Sequence, residues 1–74
     1  MTKKISRGNY EKCHHIILEE DPGIGVYIYV WLTEASPSPE RDHLQDTWDI
    51  AYEQCEEDYG VPKDCWDDLE DTPN

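Results

Sequence analysis

The longest stretch with a single period runs from Asp42 to Gly60, DHLQDTWDIAYEQCEEDYG. Leu44, Trp48, Ala51, Tyr52, Cys55 and Tyr59 recur in it at three- and four-residue steps, the spacing of one side of an α-helix. The opposite side carries Asp46, Asp49, Glu53, Glu56, Glu57 and Asp58, with no Lys or Arg within the run. The pattern predicts one amphipathic helix with an apolar stripe for a core and an acidic stripe for solvent or a partner. Ser38 followed by Pro39 reads as an N-cap and first helical position, and Asp42 is a second cap candidate. Gly60 stands where a left-handed residue ends a helix, Val61 follows to pack back on the last turn, and Pro62 blocks continuation.

Upstream the period shortens to two. Within Tyr10–Glu20 the centre Cys13-His14-His15-Ile16-Ile17-Leu18 is apolar and β-branched, which predicts a strand. Asp21-Pro22-Gly23-Ile24-Gly25 reads as a turn, with Pro22 presetting φ and Gly23 free to take a positive φ. Val26–Glu34, VYIYVWLTE, predicts a second strand, with Val26, Ile28, Val30 and Leu32 on one side and Tyr27, Tyr29 and Trp31 on the other. Apolar residues on both sides mark a strand that is central or covered twice. Ala35-Ser36-Pro37-Ser38-Pro39 is a linker that turns the chain over the sheet.

These elements predict an α+β fold: a small two-stranded antiparallel hairpin, then one long amphipathic helix (ββα), then a short C-terminal helical turn at 62–66 that anchors Trp66. Residues 1–9 read as a flexible basic arm, 10–69 as the single domain and 70–74 as a frayed acidic tail. Val26, Ile28, Val30 and Leu32 are expected to meet Leu44, Trp48, Ala51, Tyr52 and Cys55. Tyr27, Tyr29 and Trp31 are then left on the far side of the sheet, to be covered by Trp66 and the termini or by a second copy, which makes them a candidate dimer face.

Composition sharpens this picture. Seventy-four residues make one small domain, which buries only about 60% of its unfolded surface. Five Tyr and three Trp with no Phe suit a thin core and interfaces, because each keeps a polar atom at its edge. The net charge of −12 is lopsided: residues 1–41 hold six acids against five bases, and residues 42–74 hold twelve acids against one base, Lys63. Direct binding to nucleic acid or to an anionic membrane is disfavoured, since both need Lys and Arg. A basic protein partner is the natural complement. Met1–Tyr10 lacks the apolar run of a signal sequence, and no stretch approaches the ~20 apolar residues of a transmembrane helix. Three thiols, Cys13, Cys55 and Cys65, then read as reduced, with the cytoplasm as the expected compartment.

No catalytic residue, cofactor or metal site is predicted. Cys13, His14, His15, Cys55 and Cys65 include good zinc ligands, but there is no Cys-x-x-Cys and no His pair at helical spacing, and neighbours on a strand point apart. Neither a nucleophile elbow nor a phosphate-cradling Gly loop occurs. What remains is the acidic stripe, with Asp42, Asp46, Asp49, Glu53, Glu56 and Glu57 as the expected partner-binding face. Glu56, Glu57 and Asp58 crowd the negative end of the helix dipole, where a sequence tuned for stability alone would place Lys. The size, the charge and the missing active site resemble two kinds of small bacterial or phage protein: DNA mimics that block nucleic-acid-binding proteins, and immunity proteins that cap basic toxins. That resemblance is one of type. It implies a non-enzymatic inhibitor of a basic protein. The alternative is a small structural or regulatory homodimer assembling through Tyr27, Tyr29 and Trp31, with acidity serving solubility only.

Overall fold

In the computed structural model, which describes residues 2–69, the Val26–Trp31 alternation is realised within β3 (Gly25–Trp31), where every second residue is buried. Apolar residues on both sides of this strand need neighbours on both edges, and it has them. β2 (His15–Asp21) lies along one edge and β4 (Arg41–Gln45) along the other. β1 (Lys3–Ser6) and β5 (Trp66–Asp68) complete a five-stranded sheet in the order β4-β3-β2-β1-β5, with every pairing antiparallel. The one helix among the described residues, α1 (Trp48–Tyr59), lies across one side of the sheet. The protein is therefore α+β, but its sheet is not a two-stranded hairpin, its helix is not long, and the expected helical turn at 62–66 is absent, with strand β5 beginning at Trp66.

Three segments account for the correction. The expected start of the helix is instead β4, whose register sets Arg41, His43 and Gln45 opposite Val30, Ile28 and Val26, and Asp42 and Leu44 opposite Tyr29 and Tyr27. Leu44 and Trp48 are four residues apart, so Leu44 fits a helical period by chance. Pairing with the open edge of β3 overrides that local reading. The basic segment expected as a loose arm supplies β1, with Ile5 opposite Ile17 of β2 and Asp67 of β5. After α1, a turn closed by Cys65 N–H donating to the Pro62 carbonyl (3.2 Å) leads into β5 rather than into a helical turn. The acidic tail 70–74 lies outside the described residues.

Opposite charges accompany the pairing of the new strands. Lys4 Nζ donates to Asp68 at 2.6 Å and Arg7 to Asp67 at 2.7 Å, so a basic N-terminal segment pairs with an acidic C-terminal one. Arg7 N–H donating to the Cys65 carbonyl at 2.7 Å and Leu69 N–H donating to that of Lys3 at 2.9 Å extend the β1–β5 ladder at both ends.

The hairpin turn forms where the Pro-Gly pair places it. Ile24 N–H donates to the Asp21 carbonyl at 2.9 Å, and Gly23 has φ +86°. The helix begins later than either cap candidate. Thr47 is the N-cap, its side-chain oxygen accepting from Ile50 N–H at 3.2 Å. Gly60 ends the helix in the left-handed region, and the Val61 N–H donates to the Cys55 carbonyl at 3.2 Å.

The core lies between α1 and one side of the sheet. Ile16, Leu18, Val26, Ile28 and Val30 meet Ala51, Cys55 and Tyr59, with Cys13 and Val61 closing the flank. Trp48 and Tyr52 pack at its edge, as does Trp66, whose ring centroid is 5.8 Å from that of Tyr52. Leu44 is not part of this core: it is 48% exposed on the far side. Among the described residues, no helix is long and apolar enough to cross a membrane.

Candidate functional site

Two surfaces carry all but one, Asp46, of the residues singled out by the sequence as binding faces. The first is the outer side of α1. Asp49, Glu53, Glu56 and Glu57 are spaced at three and four residues along it, and all are exposed. No ion pair among the described residues engages them; the pairs Lys4–Asp68 and Arg7–Asp67 lie at the β1–β5 edge. Two bases approach the C-terminal end of the helix, where Lys12 and Arg41 share an open groove of about 520 Å³ with Glu57 and Asp58. In the same groove His43 Nε2 lies 3.2 Å from the Tyr59 hydroxyl, tying β4 to the last helical turn.

Asp42 and Asp46 do not share this stripe. Asp46 sits in the connection between β4 and α1, in a second groove of about 390 Å³ that also presents Glu20, Asp21 and Trp48. Asp42 is on β4 opposite Tyr29, so it belongs to the other surface.

That second surface is the side of the sheet away from α1. Registers place Asp42, Tyr29, Ile17, Ile5 and Asp67 in one row across it, and Leu44, Tyr27, Glu19 and Lys3 in the next. Trp31 and His15 start a third. The rings are ordered among themselves. Tyr27 and Tyr29 are stacked, with centroids 5.8 Å apart and planes at 16°. Trp31 is stacked on His15 at 4.5 Å and 14°, and His14 meets His15 edge-on at 5.1 Å. All three β3 aromatics are half-buried. No helix or strand among the described residues lies over them, because Trp66 packs on the helix side instead. Burial raises the Tyr29 hydroxyl pKa above its ordinary value, and the nearby carboxylates of Glu19, Asp42 and Asp21 raise it further. Burial and the neighbouring His14 lower that of His15.

The sequence pattern located the Tyr27, Tyr29, Trp31 row but missed its neighbours. His15, Ile17, Ile5 and Asp42 join it only through strand register. The single available signal was alternation: odd-numbered residues from His15 to Glu19 must share a side if the strand pairs in register with β3.

Among the described residues, no three His, Cys, Asp or Glu side chains are gathered to hold a metal ion. Burial raises the Cys13 thiol and pushes that of Cys55 up to about 12. At neutral pH both are protonated and poor nucleophiles. Tyr10, whose hydroxyl donates to the Arg7 carbonyl, is also pushed up to about 12, by burial first and then by a hydrogen bond to Cys65. The chain matches no known protein family, no curated protein and no solved structure.

Proposed function

We propose that this is a non-enzymatic acidic binding module that masks or inhibits a basic protein, acting as DNA mimics or immunity-type proteins do. The observation that carries this reading is the exposed stripe Asp49, Glu53, Glu56, Glu57. It lies on a helix capped at both ends, in a stretch with no Lys or Arg between Arg41 and Lys63. Neighbouring carboxylates at i,i+3 and i,i+4 repel one another, and a cationic partner relieves that repulsion on binding. Nucleic acid and anionic lipid would add to the repulsion, so a protein surface rich in Lys and Arg is the complement.

The test is binding to Arg- and Lys-rich peptides at low and high salt, against an acidic peptide of equal length. Affinity for the basic peptides should fall steeply as salt rises. Replacing Asp49, Glu53 and Glu56 together by Asn, Gln and Gln should slow association and flatten the salt dependence. Equal binding of basic and acidic peptides would refute the reading.

A second reading is a homodimer through Tyr27, Tyr29 and Trp31, favoured by the uncovered side of the sheet. In that case Tyr29→Glu leaves a monomer at concentrations where the parent protein sediments as a dimer.

A further inference from the structure

Taking the basic partner as given, we infer that its anchoring site is the uncovered side of the sheet rather than the helix. An arginine- or lysine-bearing segment lies along β3, its cations over the rings of Tyr27, Tyr29 and Trp31 and its charge met by Asp42 and Glu19.

The helix stripe is well made to attract and poorly made to hold. Its carboxylates are exposed, and ion pairs in that setting contribute little to affinity while raising the association rate. Binding energy concentrates where aromatic side chains exclude water at the centre of an interface. The sheet offers such a centre. Tyr27, Tyr29 and Trp31 occupy successive outward positions on one strand, so the row extends roughly 13 Å at the usual strand rise. Guanidinium and ammonium groups are drawn to the faces of Trp and Tyr rings, Arg most of all because it also stacks.

Carboxylates flank the row from both neighbouring strands: Asp42 of β4 opposite Tyr29, and Glu19 of β2 opposite Tyr27. Glu19 has Lys3 as its neighbour on β1, and Asp67 on the same side is paired with Arg7. Asp42, exposed on an edge strand, is opposite Tyr29, and the ion pairs Lys4–Asp68 and Arg7–Asp67 among the described residues lie at the other edge of the sheet. This interleaving of rings and carboxylates chooses among occupants. A second copy would bring its own Asp42, Glu19 and Asp67 to the seam, where they outnumber Lys3 and Arg7, on a chain of net charge −12. A single-stranded nucleic acid could stack its bases on the rings, but its phosphates would meet the same charge. A cationic peptide satisfies rings and carboxylates together.

The experiment is titration of isotope-labelled protein with an arginine homopeptide at low salt, followed by amide and indole NMR shifts, for the parent protein, Tyr29→Leu and Asp42→Asn. Tyr29→Leu keeps an apolar residue at a half-buried position, and Asp42→Asn alters an exposed one, so the second variant holds if the first unfolds. The expected result is shifts centred on Tyr27, Tyr29, Trp31 and Asp42, with affinity about tenfold weaker in either variant. Shifts confined to Asp49–Glu57, with both variants binding as the parent does, would overturn the site while leaving the basic-partner reading intact. Absence of any binding at low salt would remove that reading, and the site with it.

Discussion

A Cβ built on Gly25 would stand 2.3 Å from the backbone carbonyl oxygen of Gln45. The first residue of β3 and the last of β4 approach so closely that only a hydrogen fits between them. Gly25 also has φ +148°, a conformation L side chains rarely adopt. Gly25→Ala should therefore cost roughly 3 kcal/mol, since neither chain can move without breaking the ladder. Gly23, at φ +86° with nothing near its missing Cβ, bears strain alone, and Gly23→Ala should cost about 1–2 kcal/mol. Urea unfolding of the two variants measures both. Equal costs would mean that β4 does not close on β3 at Gly25.

The side of the sheet each residue occupies gives a second prediction. Ile28 is fully buried, whereas Leu44 is 48% exposed. Ile28→Ala should lose about 2–5 kcal/mol, enough to unfold a domain of this size. Leu44→Ala should stay within about 0.5 kcal/mol. A helical Leu44 facing the core would have cost as much as Ile28. The contrast also shows where the sequence was readable. The β3 alternation survives because both of its sides are apolar in a strict period of two. Arg41–Gln45 holds one apolar residue among four polar ones, so no period can be read from it. Its strand comes from the edge it pairs with.

The start of the helix can be tested on its own. Thr47→Ala removes the oxygen that accepts the Ile50 N–H and should cost about 1 kcal/mol. Ser38→Ala, at an exposed loop position, should change little. Both Ser38 and Thr47 are good capping residues, and local chemistry cannot rank them. The choice falls to Thr47 because β4 must lie extended along β3 before the chain can coil. Strands β1 and β5 escaped the reading for a related reason. KKIS and WDD are too short and too polar to show a period, and their partnership is written in opposite charges some sixty residues apart.

Thiol chemistry separates the three cysteines. Cys13 and Cys55 are buried, while Cys65 is half-buried in the turn before β5. Iodoacetamide on the native protein should label Cys65 first, and Cys55 only on unfolding. The same burial makes stability fall in alkali. The Cys55 thiol ionises at an ordinary value of 9.0 in the unfolded chain and at about 12 in the fold. The folded state thus holds its proton more tightly, and the stability this adds is complete below pH 9 and lost as pH climbs toward 12. Burial of Tyr59 and Tyr52, whose hydroxyls are also raised, acts in the same direction. Urea midpoints should decline progressively above pH 9, and less steeply in Cys55→Ala, which lacks the thiol. An identical slope in that variant would remove Cys55 from the account.

Salt sets two effects of opposite sign against each other. Screening weakens Lys4–Asp68 and Arg7–Asp67, exposed pairs of a kind worth about 0–1 kcal/mol each. It also relieves repulsion along Asp49, Glu53, Glu56 and Glu57 and among the twelve acids of residues 42–74, which face a single base there. Repulsion on a chain of net charge −12 involves many more pairs than two and opposes compaction as a whole. Global stability should therefore rise with added salt, seen as a higher melting temperature. Locally the order reverses. The Leu69 N–H, which donates to Lys3 at 2.9 Å beside those ion pairs, should lose protection from hydrogen exchange relative to core amides such as Ile28. A melting temperature that drops with salt would mean that the β1–β5 pairs, rather than the carboxylates, dominate the electrostatics of the fold.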